Sequence, residues 1–307
     1  MPRYPLPTGR LGFDGEMILG QSVGGANPTT VWGFPQLTYR VDKDDNIYRP
    51  QVADANSNNH LEAFGMRTGT LEFTCPLLLD RGMIAWFNAA TAPATRANPF
   101  DVTVIPYNGA AARTYPFVWF RRVTISGQAA VDGRTSMVML QAQAMILDPD
   151  NIEGVAALTA PASLGTSGAG ITPFSKCTLT DGATPTPNDY KMNQFSVTLD
   201  NQARVSPTTI DPVNRISEGA VMGPQMGAFT ARQNVGAANV LPAVAGHYPF
   251  TLTLPTGDAT HAATLVLATS HDRSTLPLVP DDFVRNSEIY SLFSPASGSA
   301  LLTATYA

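Results

Sequence analysis

Short runs of alternating apolar and polar residues follow one another along the chain, separated by Gly, Pro, Asn and Asp. This pattern is typical of antiparallel β structure with many turns, because successive side chains of a strand point to opposite faces of the sheet. The runs predict strands at residues 36–41, 70–74, 101–105, 117–125 and 136–147. The fold class is therefore mainly β.

One segment has the periodicity of a helix instead. In residues 77–92, Leu78, Met83, Trp86 and Phe87 fall roughly on one helical face, and the segment ends in small residues before a proline. We expect a helix here, in the first half of the chain.

The middle of the chain has the composition of a linker. Residues 148–175 are rich in Ala, Gly, Ser, Thr and Pro, and Phe174 is their first aromatic residue. The chain has 307 residues, more than a typical domain of about 100–200. We predict, in order, an extended N-terminal arm at 1–12, a first domain at 13–150, a linker at 151–175 and a second domain at 176–307.

The two sides of this linker are similar at a fixed spacing. Residues 37–42 (LTYRVD) alternate and stop at Asp, and residues 195–200 (FSVTLD), 158 positions later, have the same pattern and the same stop. The same spacing relates 65–69 (GMRTG) to 223–227 (GPQMG), each followed by a strand pattern. Collinear matches of this kind predict a duplicated domain.

Farther along, the spacing between the two copies becomes shorter. PFDVTV at 99–104 matches PFTLTL at 249–254, at a spacing of 150. The residues lost in the second copy fall in the interval that holds the helix, so we expect a shortened or broken helix around 239–246. Both copies are predicted to end in a strand, at 136–147 and at 300–306.

Each copy also contains a long polar excursion, at 42–64 and at 200–222. Ordinary hairpin loops have about 2–5 residues, and much longer loops inside a compact domain are usually functional. Because both copies keep the excursion, we interpret it as a hairpin arm that makes contacts in an assembly.

The charge content supports burial in an assembly. Charged residues make up 14% of the chain, whereas about 25% is usual, and interface cores are depleted in charge. The net charge is −5 and the basic residues are scattered, which argues against tight binding to nucleic-acid phosphates. No run of about 20 apolar residues occurs, and residues 1–12 lack the apolar segment of a signal peptide. We expect no membrane partner and synthesis in the cytoplasm.

No motif predicts a catalytic, cofactor-binding or metal site. Residues 42–46 (DKDDN) resemble the start of a calcium loop, but Ile47 stands where the loop needs Gly, and Ala53 where it needs Glu. Residues 165–169 (GTSGA) depart from a nucleophile elbow at Ala169. Glycine-rich phosphate loops are absent.

Isolated residues of reactive types have ordinary interpretations. The histidines include no HExxH motif and no close pair: His60, His247, His261 and His271. The cysteines, Cys75 and Cys177, have no zinc-site spacing. Four aromatic residues are interpreted as core rather than as a base-stacking platform: Trp86, Phe87, Trp119 and Phe120. We therefore expect no enzymatic activity, no metal and no cofactor.

The chain resembles the tail tube proteins of long-tailed, siphovirus-type bacteriophages. The resemblance covers nearly the whole chain and rests on element order and on a Gly-x-x-x-Gly sequence followed by a strand. It is carried by LEAFGMRTGTLEFTCPLL at 61–78 in the first copy, and by FSVTLDN at 195–201 and ISEGAVMGPQMGAFTAR at 216–232 in the second. It implies two tandem β-sandwich domains, each with a long hairpin arm and a short helix that is reduced in the second.

The resemblance also implies a function. Such proteins are virion structural proteins that self-assemble into stacked rings, and the resulting tail tube is the conduit for DNA ejection. Most members carry one domain and form six-membered rings, so three chains with two domains each would give a pseudo-hexameric homotrimer ring. Implied partners are further copies of the chain and the tape measure, tail terminator and distal tail proteins.

DNA would pass through the lumen without specific binding, and we expect an acidic lumen to repel it. The implied location is the virion tail, after assembly in the host cytoplasm. We also expect residues 1–12 to dock on the adjacent ring, because a Pro-rich extended segment has nothing local to pack against.

The alternative is a tandem immunoglobulin-like binding or adhesion protein, or a capsid decoration protein. It predicts a monomer with affinity for a receptor or a glycan. The paired arms and the low charge content favour assembly instead. A β-sandwich hydrolase acting on polysaccharide is a third hypothesis, but the sequence supplies no evident acid and base pair.

Overall fold

The computed structural model describes residues 13–21, 30–45, 47–48, 63–79, 82–130, 136–149, 158, 170–182, 187–206, 210–211, 216–217, 219–234, 239–275, 285–294 and 300–307. The strands of the first half are β1 (Phe13–Gln21), β2 (Val31–Asp44), β3 (Ile47–Tyr48), β4 (Ala63–Phe64), β5 (Thr68–Pro76), β6 (Phe100–Pro106), β7 (Arg113–Gln128) and β8 (Met139–Ile146). A helix, α1 (Met83–Thr91), lies between β5 and β6. All five strands predicted for this half are confirmed.

The strands of the second half are β9 (Thr178–Asp181), β10 (Asp189–Tyr190), β11 (Gln194–Asp200), β12 (Ala203–Val205), β13 (Ile210–Asp211), β14 (Ile216–Ser217), β15 (Ala220–Met222), β16 (Met226–Asn234), β17 (His247–Pro255), β18 (Ala262–Thr275), β19 (Arg285–Leu292) and β20 (Leu302–Tyr306). A short 3-10 turn at Phe174–Lys176 precedes them. The chain is mainly β, as the sequence predicts.

The first half closes into a six-stranded antiparallel barrel. Pairing runs in the order β6-β1-β2-β5-β8-β7 and returns from β7 to β6, which leaves no open edge around the barrel. The interior is apolar, and α1 inserts the fully buried Trp86 between the rings of Phe34 and Phe120, with centroids 5.0 and 4.9 Å away. These edge-to-face contacts tie the helix to the barrel.

The second half repeats this strand order. The series β9-β17-β18-β19-β16-β11 corresponds to β1-β6-β7-β8-β5-β2. The registers also correspond: Leu19 lies opposite Val102 in the first half, and Leu179 lies opposite Leu252 in the second. The pairing of β1 with β2, which closes the first barrel, has no counterpart among the described strands of the second half.

Instead, the two halves share one sheet. β11 pairs antiparallel with the end of β7, from Gln194 opposite Gln128 to Asp200 opposite Arg122. The run β2-β5-β8-β7-β11-β16-β19-β18 is therefore continuous across the junction.

The helix begins later than predicted. Gly82, in the left-handed conformation with φ 69°, precedes α1, so the prediction of a helix from residue 77 was wrong at its start. The Leu77 N–H donates to the Val138 carbonyl at 2.8 Å, and Leu78 forms a β-bridge with Ile171. The apolar residues before Gly82 thus extend the sheet, and a short apolar run fits either structure.

The end of the predicted linker is packed against the first half. The Thr172 N–H donates to the Leu77 carbonyl at 3.3 Å, and the Val138 N–H donates to the Thr172 carbonyl at 2.8 Å. Phe174 is buried and stacks on Phe195, with centroids 5.9 Å apart. Residues 170–175 therefore belong to the packed structure, which corrects the linker boundary at 175. The rest of the linker, apart from residue 158, lies outside the described residues, as does the arm at 1–12.

The end of the second half departs from the prediction. Described residues 239–246 form no helix, in line with the prediction of a shortened or broken helix there. However, the counterpart of β8 is β19, because β8 pairs with β5 and β7 as β19 pairs with β16 and β18. β20 (Leu302–Tyr306) confirms the strand predicted at 300–306, but it is an extra strand on β18 and not the counterpart of β8. Asn88 of α1 donates to the Ala304 carbonyl of β20 at 2.7 Å.

One of the sequence matches is displaced by two residues. Tyr39 lies opposite Phe73, and its equivalent Val197 lies opposite Phe229. Phe229 therefore corresponds to Phe73 rather than to Leu71, which the 158-residue spacing predicts. The described parts of both excursions are hairpins, formed by β3 with β4 and by β12 with β15 and β13 with β14, as predicted for arms.

Candidate functional site

Buried polar contacts join the two halves at the end of α1. The last carbonyls of a helix have no partner within the helix. Asn201, 1% exposed, donates from Nδ2 to the carbonyls of Ala90 at 2.8 Å and Phe120 at 2.9 Å. Gln225 donates from Nε2 to the Thr91 carbonyl at 2.7 Å and to Asn201 Oδ1 at 2.8 Å. The second half thus caps the helix of the first.

Arg96 adds a second link between the halves. Its guanidinium donates to the carbonyls of Asn201 at 3.3 Å and Gly223 at 3.1 Å, and burial lowers the pKa of Arg96 from its ordinary value. Gly223 begins the Gly-x-x-x-Gly sequence, and a Cβ at this position would lie 2.8 Å from the Gln202 side chain. The sequence motif therefore has a packing reason at the junction.

The shared sheet presents matched polar residues on one face. Across the junction of β7 and β11, like residues lie opposite each other at Gln128 and Gln194, Ser126 and Ser196, and Thr124 and Thr198. The two threonine hydroxyls are 3.1 Å apart. The alternate residues of β11, Phe195, Val197 and Leu199, are buried on the opposite side.

We call the outward side of β2, β5, β8, β7, β11 and β16, apart from the area around Trp119 and Met145 that the hairpin arm at 200–222 covers, the polar face. Two of its arginines contact carboxylates, Arg40 with Asp42 at 2.6 Å and Arg122 with Asp200 at 2.9 Å. Glu72 accepts a hydrogen bond from Gln143 at 2.9 Å, and Arg232 of β16 is exposed opposite Gln194. A groove of about 300 Å³ follows it over β5, β8 and β7. This face is polar, whereas the alternate residues of the same strands point into the apolar core.

The hairpin arm at 200–222, which we call the second arm, packs on the first half through its described residues. Trp119 and Met145, each 6% exposed, form an apolar cluster with Leu147 and Ala203, against which Val205, Ala220 and Met222 also pack. Trp119 is therefore buried in an apolar cluster, as expected for a core residue, but this cluster lies beneath the arm and is separate from the main core. Trp86, Phe87 and Phe120 lie in the main core as predicted.

The calcium-like segment does not form a loop. β2 continues through Asp44, Asp42 pairs with Arg40, and Lys43 lies 3.8 Å from Asp45. Within the described ranges, no group of three or more His, Cys, Asp or Glu residues is arranged to hold a metal. Ala53, His60 and residues 165–169 lie outside those ranges.

A buried cluster in the second half was not anticipated from the sequence. His271 Nε2 lies 2.9 Å from Glu288 Oε2 and 3.3 Å from Ser274 Oγ, and Ser274 donates to Glu288 at 2.5 Å. A catalytic triad uses the two imidazole nitrogens for the two partners, whereas one nitrogen meets both here. Burial raises the pKa of the neighbouring Tyr290, and the negative charge of Glu288 makes a smaller contribution in the same direction. The cluster therefore satisfies a buried carboxylate rather than activating a serine.

The other described histidines contact aromatic rings, and the two thiols are largely buried. The His247 ring lies 4.7 Å from Phe293 and the His261 ring 5.5 Å from Tyr306. Burial raises the pKa of the Cys75 thiol, and it raises that of Cys177 to about 12. Both thiols are therefore protonated at neutral pH and poor nucleophiles.

A cavity of about 350 Å³ opens at one end of the first barrel. It is lined by Tyr39, Val41, Lys43, Val104, Pro106, Asn108, Ala110, Ala111, Arg113, Tyr115 and Pro149. Burial raises the pKa of Tyr39, with a smaller contribution from Tyr115. Among the described residues, its ionisable groups are Tyr39, Lys43, Arg113 and Tyr115, and it contains no carboxylate, His, Cys or Ser.

A scan against models of protein families gives no match. A search of the curated proteins finds no significantly similar sequence. Over the part of the chain that the structure describes, no helix is long and apolar enough to cross a membrane.

Proposed function

We propose that the chain is a virion structural protein that self-assembles into stacked rings, and that these rings form the tail tube of a bacteriophage. The observation that supports this most directly is the continuous run of eight strands through both halves. One repeat joins the next by adding its strand β11 to the edge of β7. A head-to-tail contact that repeats in this way generates a closed ring when the rotation closes.

We take the two halves, 13–150 and 176–307, as the tandem domains that the resemblance implies as β-sandwiches, although the first closes its six strands into a barrel. The eight-strand run ends in β2 and β18, and among the described strands none pairs with Asp272–Thr275 of β18 on the side opposite β19. Addition of a further chain at this edge would continue the run. Three chains would supply six domains and form a pseudo-hexameric homotrimer ring.

The polar face is our candidate for the lining of the central channel. Tight DNA binding depends on basic groups that neutralise phosphates, and the Arg40 and Arg122 charges are already paired with carboxylates. A lining of Thr, Ser and Gln with paired charges would let DNA pass without holding it. This replaces the acidic lumen expected from the resemblance with a nearly neutral one.

The proposed partners are further copies of the chain in stacked rings, and tape measure, tail terminator and distal tail proteins at the ends of the tube. The proposed location is the virion tail, after assembly in the host cytoplasm. The contacts described between the two halves are structural, and we infer a structural rather than an enzymatic role.

Negative-stain electron microscopy of the purified chain over a range of concentrations tests the proposal, with the mass of soluble species measured by light scattering. Hollow rings or tubes and a species of three chains are expected. A chain that stays monomeric at high concentration, without rings, would overturn the proposal and favour the tandem immunoglobulin-like binding or decoration protein.

A further inference from the structure

The contact between the second arm and the first half shows which part of a domain surface an arm packs against. Trp119 of β7 lies opposite Met145 of β8, and each is 6% exposed. Ala203, 1% exposed, and the half-buried Val205 and Met222 of the arm pack against them. The arm therefore buries a pair of large apolar residues on the outer side of the last two strands of a domain.

Strand register locates the equivalent place in the second half. In the matching sequences PFDVTV and PFTLTL, Phe100 lies opposite Val118, and Phe250 lies opposite Leu267. The residue after Leu267 is Ala268, which therefore takes the position of the tryptophan under the arm.

The partner of Ala268 is also apolar. Phe293 follows β19 and its N–H donates to the Ala268 carbonyl at 3.0 Å, so it takes the position of the methionine under the arm. Val266, 50% exposed, lies on the same side of β18. We call Val266, Ala268 and Phe293 the open patch, because Ala268 and Phe293 are only half-buried whereas their counterparts are covered.

We propose that the open patch binds the first arm, residues 42–64, of a second copy of this chain. The first arm follows Asp42 as the second arm follows Asp200, and β3 pairs with β4 at its base as β12 pairs with β15. Its base carries Ile47 and Phe64 in sequence, so apolar residues are available to meet the patch.

Chain order explains why the partner is another copy. The second arm reaches back onto the domain that precedes it, so the first arm of a chain requires the second domain of a preceding chain. The patch contains no charged residue, as expected for the centre of an interface. The inference rests on the proposed function, because it assumes that the contact between halves repeats between chains.

Substitution Ala268→Asp tests the patch. The side chain is half-buried, so the folded chain tolerates the carboxylate, but an apolar arm would have to desolvate it. We expect the concentration for half-maximal ring formation to rise at least about 10-fold, with an unchanged circular dichroism spectrum. Thr264→Asp is the matched control, since Thr264 lies on the same strand and face, also half-buried, outside the patch, and it should assemble as the wild type does.

A second measurement identifies the occupant. Chains carrying Phe64→Cys and chains carrying Ala268→Cys are mixed and oxidised, and a disulfide-linked pair is expected only in the mixture. If the wild type forms rings while Ala268→Asp assembles equally well and the mixture gives no linked pair, the inference fails and the proposed function stands. If the wild type forms no rings, the proposed function itself fails.

Discussion

Replacing Asn201 by alanine should separate the stability of the two halves. The substitution removes two hydrogen bonds from Nδ2, to the carbonyls of Ala90 and Phe120, and the bond that Oδ1 accepts from Gln225. A buried hydrogen bond contributes about 1 kcal/mol net, and a buried group left without a partner costs about 1–3 kcal/mol. Since some groups will find water at the new gap, we expect a loss of about 3 kcal/mol from the free energy of unfolding.

That loss is large beside a total stability of about 5–15 kcal/mol for a typical domain. The assay is urea unfolding followed by tryptophan fluorescence and by circular dichroism. All three tryptophans, at 32, 86 and 119, belong to the first half, whereas circular dichroism reports both halves. In the wild type the two transitions should coincide. In the Asn201→Ala variant the circular dichroism transition should begin at lower urea concentration than the fluorescence transition.

A suitable control is Asn188→Ala, because Asn188 donates to Asp181 in an exposed turn of the second half. Its effect should stay within about 0.5 kcal/mol, as is usual for surface substitutions. If Asn201→Ala lost less than about 1 kcal/mol and both transitions still coincided, the polar contacts at the end of α1 would not be what couples the halves.

Three further changes have definite expected outcomes. The double substitution Thr124→Lys and Thr198→Lys should make the unassembled chain bind duplex DNA in gel-shift assays. The binding should weaken with salt, with a slope of about −2 in log K against log salt. Binding of DNA by the wild type would contradict a neutral lining. Burial, followed by the hydrogen bond and charge of Asp181, raises the pKa of Tyr190 to about 12. The neutral phenol therefore stabilises the fold below the unfolded pKa of ~10, and this contribution should be lost as the pH rises from ~10 to ~12. The denaturant midpoint should accordingly fall less over this range in Tyr190→Phe than in the wild type. Deletion of residues 1–12 should leave single rings in electron micrographs but shorten tubes, and normal tubes would refute docking of this arm.

The strands could be predicted because the alternation of apolar and polar residues in their sequences follows the alternation of buried and exposed positions. In β5 every second residue is buried, so the alternation of TLEFT reflects one core face and one polar face. The duplication was also visible, because the run ending at Asp42 and the run ending at Asp200 keep the same pattern. Such local patterns survive wherever one face of a strand is buried.

Other features depend on contacts that sequence spacing does not show. The start of α1 was misplaced because Leu77 and Leu78 fit a helical face as well as the sheet edge they extend. Asn201 and Gln225 gave no signal, since a buried amide that caps a distant helix looks like any loop residue. The Gly-x-x-x-Gly match was placed two residues out of register because the first arm is two residues longer than the second. The sequences of the arms have no regular pattern from which this difference in length could be predicted.

The closed barrel of the first half has a consequence for the order of folding during synthesis. Its hydrogen-bond circuit involves strands β1 to β8 only, so it can be complete once residue 146 has left the ribosome. The described strands of the second half do not close a circuit of their own, and β11 pairs with β7 of the finished barrel. Since the N-terminal parts of a chain fold first during translation, the barrel would serve as a template that occupies β11 as it emerges. Because the edge of β7 then pairs with β11 of the same chain, it is not available to pair prematurely with another nascent chain.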